Sequence, residues 1–211
     1  MTHVVLLGDS VFDNAAYVGG GVDVISHLRA QLPAGWGATL AAVDGSVARG
    51  VGRQLDALPA AATHLVVSAG GNDALQSAGL LNQGARSFAE VLNRLAGEAD
   101  DFRRAYLEML RALLRTGLPA ALCTVYYPRF PDPAVQRVAV AALASFNDVI
   151  TTEAFAAGLP LLDLRLICDS DEDYANPIEP SEAGGLKIAA AIVSLLREHS
   201  FERRRTEVFV R

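Results

Sequence analysis

Cysteine is scarce in this chain: its 211 residues include only two, Cys123 and Cys168. Two thiols so far apart make neither a metal-ligand spacing nor a disulfide framework, so buried free thiols, with at most one bridge, are expected. Positive charge is also in short supply. Eighteen Lys and Arg stand against 24 Asp and Glu, a formal net charge of −6, which disfavours nonspecific binding to nucleic acid or an anionic membrane. The one basic run, Arg203-Arg204-Arg205, reads as a solvated end. No stretch approaches the ~20 apolar residues of a membrane span. No basic, apolar and small-residue leader precedes the first apolar run, and a cytoplasmic protein is the expectation. A glycine-rich dinucleotide fingerprint, a phosphate loop and a His-Glu-x-x-His pair are all missing, so no cofactor and no metal are expected.

What is present is the pattern of a globular chain, with 51% hydrophobic and 20% charged residues. Its length suits one domain over residues 1–200, followed by a tail over 201–211. Apolar runs predict strands at Val4–Leu7, Ala38–Ala42, Leu65–Ser68, Ala120–Thr124 and Leu161–Leu162. Helical patterning follows each of them, at Gly21–Leu32, Ser46–Ala57 (capped by Ser46), Ala85–Ala96, Asp100–Leu114, Ala134–Ala157, and from Ser181-Glu182 to about Leu196. Strands alternating with helices imply an α/β fold in which a five-stranded parallel sheet is covered on both faces.

Three of the predicted strands end in turns with chemical content. Val4-Val5-Leu6-Leu7 breaks at Gly8-Asp9-Ser10, a third apolar run reaches Val43-Asp44-Gly45-Ser46, and Leu65-Val66-Val67-Ser68 runs into Gly70-Gly71-Asn72-Asp73. The carboxyl ends of parallel strands share one edge of a sheet, so Ser10, Gly45 and Asn72 are expected to meet there. Ser10 is the candidate nucleophile. The backbone N–H groups of Ser10 and Gly45 and the Asn72 amide suit a tetrahedral oxyanion. Asp9, Asp13 and Asp73 read first as turn acids that accept nearby backbone N–H groups. Asp9, Asn14, Asp73 and Tyr127 are carried as candidate substrate contacts. Tyr127 belongs to the stiff loop Tyr126-Tyr127-Pro128-Arg129-Phe130-Pro131, which with Phe12 is a candidate apolar wall, and Tyr174 is a candidate cover.

Gly8-Asp9-Ser10, Gly45 and Gly70-Gly71-Asn72-Asp73 resemble, in order and spacing, the first three blocks of the SGNH or GDSL hydrolase family. The resemblance implies a flavodoxin-like α/β/α sandwich, a serine nucleophile, a glycine and an asparagine at the oxyanion, and a small acyl ester as substrate. Family members usually end in Asp-x-x-His-Pro, whose histidine is the general base. Here the matching region is Asp173-Tyr174-Ala175-Asn176-Pro177-Ile178-Glu179-Pro180-Ser181-Glu182-Ala183-Gly184, without a histidine. Two registers are open. The preferred one puts Glu179 at the histidine position and Asn176 in place of the acid; the other keeps Asp173 as the acid and leaves the amide of Asn176 where the base belongs.

The four histidines, His3, His27, His64 and His199, fall at strand starts, in a helix or beyond the last one, and none is expected at the site. Glu179 can serve as base if burial lifts its carboxyl toward pKa ~6–7. The leading expectation is therefore a serine esterase with an atypical base. A ligand-binding protein that has lost its chemistry and an acyltransferase remain alternatives, and the sequence leaves the oligomeric state open.

Overall fold

The computed structural model describes residues 2–210. In chain order the strands are β1 (His3–Gly8), β2 (Gly37–Leu40), β3 (His64–Ser68), β4 (Ala120–Cys123), β5 (Leu161–Leu162), β6 (Tyr174–Asn176), β7 (Glu179–Pro180) and β8 (Val208–Phe209). The helices are α1 (Val24–Gln31), α2 (Val51–Leu55), α3 (Gly71–Gln76), α4 (Phe88–Arg115), α5 (Pro133–Ala157), α6 (Leu164–Ile167) and α7 (Glu182–Glu198). One sheet has the order β2-β1-β3-β4-β5-β8 with every pairing parallel, and β6 and β7 form a separate antiparallel pair.

Alternation along the strands sends successive side chains to opposite faces. Val4 and Leu6 of β1 join Val66, Ala121 and Leu162 in a core beneath α1, α6 and α7. Val5 and Leu7 join Leu65, Val67, Leu122 and Leu161 in a second core beneath α2, α4 and α5. The sheet is thus buried on both faces, as the continuous apolar runs require. Cys123 and Cys168 are free, buried thiols of the first core.

Four features depart from the sequence reading. The sheet has six strands: Val208–Phe209, read as tail, pairs parallel to Leu161–Leu162, with Asp163 N–H donating to Phe209 C=O. A two-residue strand carries too short a pattern to be seen in sequence. The segments Ala85–Ala96 and Asp100–Leu114 fuse into the single helix α4, which runs through Gly97 without a break. Ser46 caps no helix, because its hydroxyl accepts from Gln54 Nε2 and the turn that follows begins at Ala48 without a side-chain cap. Finally, α5 is by length and composition apolar enough to cross a membrane, with mean hydropathy 1.3 over its best 18 residues. The reading that no stretch approaches a span passed over this helix, whose second half packs in the core through Leu143, Phe146, Val149 and Ile150.

Candidate active site

Gly8 ends β1 opposite Ser68 of β3, at the carboxyl edge of the sheet. It has to be glycine: its φ is +122°, and a Cβ there would lie 1.7 Å from the Ser68 carbonyl oxygen. The close approach of the two backbones turns the chain so that Ser10 emerges from between β1 and β3, the point where the strand order reverses and where open α/β sheets hold ligands. Ser10 is 7% exposed and lines a cavity together with Asp9, Asn72 and Glu179.

The hydrogen-bond partner of the Ser10 hydroxyl comes from the far end of the chain. Glu179 begins β7, in the hairpin with β6, and its Oε1 accepts the Ser10 hydroxyl at 3.0 Å. Asn176 shapes that hairpin. Its Oδ1 accepts the N–H groups of both Ile178 and Glu179, so it orients the backbone and does not touch the Glu179 carboxyl as a triad acid would. Tyr126 Oη donates to Ile178 C=O at 2.6 Å, and Arg129 N–H donates to Pro177 C=O, tying the hairpin to the loop after β4. Asp173, the acid of the other register, is buried in an ion pair with Lys187 and leaves the site.

Burial raises the Glu179 carboxyl to about 7, despite the opposing effect of the Ser10 hydrogen bond. Its second oxygen, Oε2, is buried without a hydrogen-bond partner among the described residues. An isolated carboxylate in such a place costs more than the neutral acid, which is the physical cause of the upward shift. Asp9 is raised to about 7 as well, chiefly by burial and further by the charge of Glu179, although Val11 N–H donates to its Oδ1.

The loop carrying Gly45 is anchored by side chains from both other blocks. Asp13 Oδ2 accepts Asp44 N–H at 3.0 Å, Asp73 Oδ2 accepts Ala48 N–H at 3.0 Å, and Asn72 Nδ2 donates to Ser46 C=O at 3.1 Å. An amide nitrogen carries two hydrogens, so the bond to Ser46 pins Asn72 while leaving one N–H for another acceptor. Gly45 itself is exposed, in the left-handed region at φ +76°, and sits in the anchored loop beside the cavity without lining it.

Sequence reading missed Gln54 of α2. Its Oε1 accepts Gly8 N–H at 2.7 Å, and its Nε2 donates to Gly8 C=O at 2.8 Å and to the Ser46 hydroxyl at 3.3 Å. A buried glutamine in an amphipathic helix was the available signal, because such a group needs partners.

Three of the proposed substrate contacts lie elsewhere. Asn14 is fully buried; its Oδ1 accepts Val24 N–H and its Nδ2 donates to Pro180 C=O, so it braces the residue after Glu179. Asp73 spends its carboxylate on Ala48, and Tyr127 packs against the second core, while Tyr126 takes the cavity side of that loop. Asp9 alone of the four lines the cavity. Phe130 lines it too, but Phe12 is core, and Tyr174 donates to the carbonyls of Tyr127 and Cys168 and packs against Tyr126, away from the cavity lining. Among the described residues no histidine lines the cavity.

No curated protein matches the chain. Solved structures share its fold at low identity. An extracellular lipase from Streptomyces rimosus superposes with a TM-score of 0.66 at 17% identity, covering 95% of this chain and 100% of the lipase. An acetyl xylan esterase gives 0.69 at 17%, covering 92% and 99%. The psychrotrophic esterase EstA from Pseudoalteromonas sp. gives 0.62 at 17%, covering 94% and 100%. Residues 6–185, which run from β1 through the Glu179 hairpin into α7, match one family along their length: the chain belongs to the GDSL-like lipase/acylhydrolase family.

Proposed function

We propose that this protein is a serine ester hydrolase in which Glu179 replaces histidine as the proton acceptor. The observation that carries the reading is the 3.0 Å hydrogen bond from the Ser10 hydroxyl to Glu179 Oε1, within the range a working base requires. Ionised Glu179 takes the Ser10 proton as Oγ attacks the ester carbonyl. The oxyanion forms beside the Asn72 amide and the Ser10 backbone N–H, both on the cavity wall, where Gly45 is not. Glu179 then returns the proton to the leaving alcohol, and an acyl group remains on Ser10. Water, deprotonated in turn by Glu179, releases the acid and restores the serine.

Glu179 suits this role better than a solvated glutamate. A base is most effective when its pKa lies near the working pH, and burial has moved this carboxyl from its usual range to about 7. A positioned base contributes typically ~10²–10⁴-fold.

The deciding experiment is a burst assay with an activated short-chain aryl ester. The wild type is expected to release a rapid first equivalent of alcohol and Ser10→Ala none. Equal rates in the two proteins defeat the proposal, and binding of an ester with no turnover by the wild type points to a protein that retains only the pocket.

A further inference from the structure

The two longest helices carry more apolar surface than the sheet can cover. Along α4 one stripe recurs at helical spacing, first Phe88, Val91, Leu92 and Leu95, then Phe102, Tyr106, Met109 and Leu113. Burial begins only at Phe102, and Phe88 is 75% exposed. Helix α5 repeats the arrangement: Val135 and Val138 are exposed, and burial starts at Leu143. The cause is length. A 28-residue helix is about 42 Å long, whereas a five-residue strand spans about 17 Å. Because α4 ends just before β4 begins, its surplus lies beyond the carboxyl edge of the sheet, the edge that holds Ser10.

The surplus stripes face each other across an open groove. They wall a cavity of about 1230 Å³ that opens on Ser10, Asn72 and Glu179, larger than the ~300–1,000 Å³ of ordinary small-ligand pockets. An acetyl group would leave nearly all of it empty. The structurally similar proteins include both a lipase and an acetyl xylan esterase by name, so membership in the family leaves the acyl length undetermined.

We infer that the groove between the amino-terminal halves of α4 and α5 is an acyl-chain site, and that the substrate is an ester of a long, unbranched aliphatic acid. This inference rests on the ester-hydrolase reading for its chemistry. Glu179 has to reach the leaving oxygen and Asn72 the oxyanion, which places the alcohol toward the β6–β7 hairpin and leaves the acyl substituent to the groove between the two helices. A flexible alkyl chain supplies the apolar contact that the sheet does not.

The test has two arms. In the first, 4-nitrophenyl esters from acetate to dodecanoate are compared, and kcat/KM is expected to rise about fourfold per methylene, equivalent to ~0.8 kcal/mol, until the groove is filled. Leu92→Asp, a change at an exposed position, is expected to reduce the decanoate rate at least tenfold more than the butanoate rate. In the second arm, Ser10→Ala is dialysed against methyl decanoate or methyl butanoate; tighter binding of the longer ester, lost in Leu92→Asp, supports the site even if no ester turns over, and that combination defeats only the hydrolase reading. Preference for acetyl esters with no tighter binding of methyl decanoate overturns the groove while leaving hydrolysis intact. Faster cleavage of decyl acetate than of ethyl decanoate overturns the acyl assignment, and a dimer broken by Leu92→Asp with chain-length preference unchanged shows that a second copy covers this face instead.

Discussion

The Gln54 carboxamide holds the Gly8 backbone at both ends, accepting its N–H at 2.7 Å and donating to its C=O at 2.8 Å. A side chain of α2 thereby sets the turn that aims Ser10, and its third contact, to the Ser46 hydroxyl, couples that turn to the Gly45 loop. Gln54 acts through its neighbours and touches no reacting atom.

Gln54→Ala takes the acceptor from the buried Gly8 N–H, at a cost of about 1–3 kcal/mol, while Gly8 C=O keeps the Val43 N–H. Chemical denaturation is expected to show the loss. Kinetics separate positioning from mere stability: kcat should fall at temperatures where the variant remains folded, with KM little changed. An unaltered kcat in folded Gln54→Ala would show that the turn holds itself.

The Glu179 reading predicts the pH profile. Only the ionised carboxylate accepts the Ser10 proton, so kcat/KM should climb about tenfold per pH unit below the Glu179 pKa and level off above it, near pH 7. Glu179→Gln should lower activity by about 10²–10⁴-fold and erase this limb. Glu179→His, which restores a base at the same hairpin position, should recover part of the loss. A profile in Glu179→Gln that matches the wild type removes Glu179 from the reaction.

Asn72→Ala tests the oxyanion. Loss of one such donor typically costs about 10²–10³ in kcat. Because Asn72 also donates to Ser46 C=O, thermal unfolding should be measured beside the rates; a kcat loss without a matching loss of stability marks the transition-state role.

Asp9 and Glu179 together make stability depend on pH. Both carboxyls sit near 7 in the folded protein, above their values in an unfolded chain. The folded state therefore holds protons that the unfolded state releases, and the stabilisation present below about pH 4 is lost as pH rises through about 7. Asp9→Asn should flatten this decline and make the protein more stable than the wild type at pH 8, by up to about 4 kcal/mol. Urea denaturation at pH 5 and pH 8 reads the difference, and a wild type that gains stability over this interval contradicts the assigned environments.

Much of the sheet was legible because its causes are local. The runs at Val4–Leu7 and Leu65–Ser68 are β-branched and apolar and end at glycines, and the structure extends each by a residue or two. The turn acids were legible for the same reason: Asp9, Asp13 and Asp73 each accept a backbone N–H. Asn14 and Tyr127 were misplaced because proximity in sequence to a nucleophile says nothing of the direction a side chain takes. Asn14 turns away from the cavity to brace Pro180, 166 positions on.

By itself the sequence determined the alternation of five parallel strands with helices, the glycines that permit the sharp turns, and the lack of a histidine in the last block, since each depends on residues near one another in the chain. Only the tertiary structure decided which of two registers brings a side chain against Ser10, for Ser10 and Glu179 are 169 positions apart and meet because the β6–β7 hairpin folds back over the sheet edge. It also decided the Glu179 pKa and the reach of the cavity. Both arise from what surrounds a group in space: burial withholds water from a carboxylate, and two helices longer than their strands wall a groove that no local pattern describes.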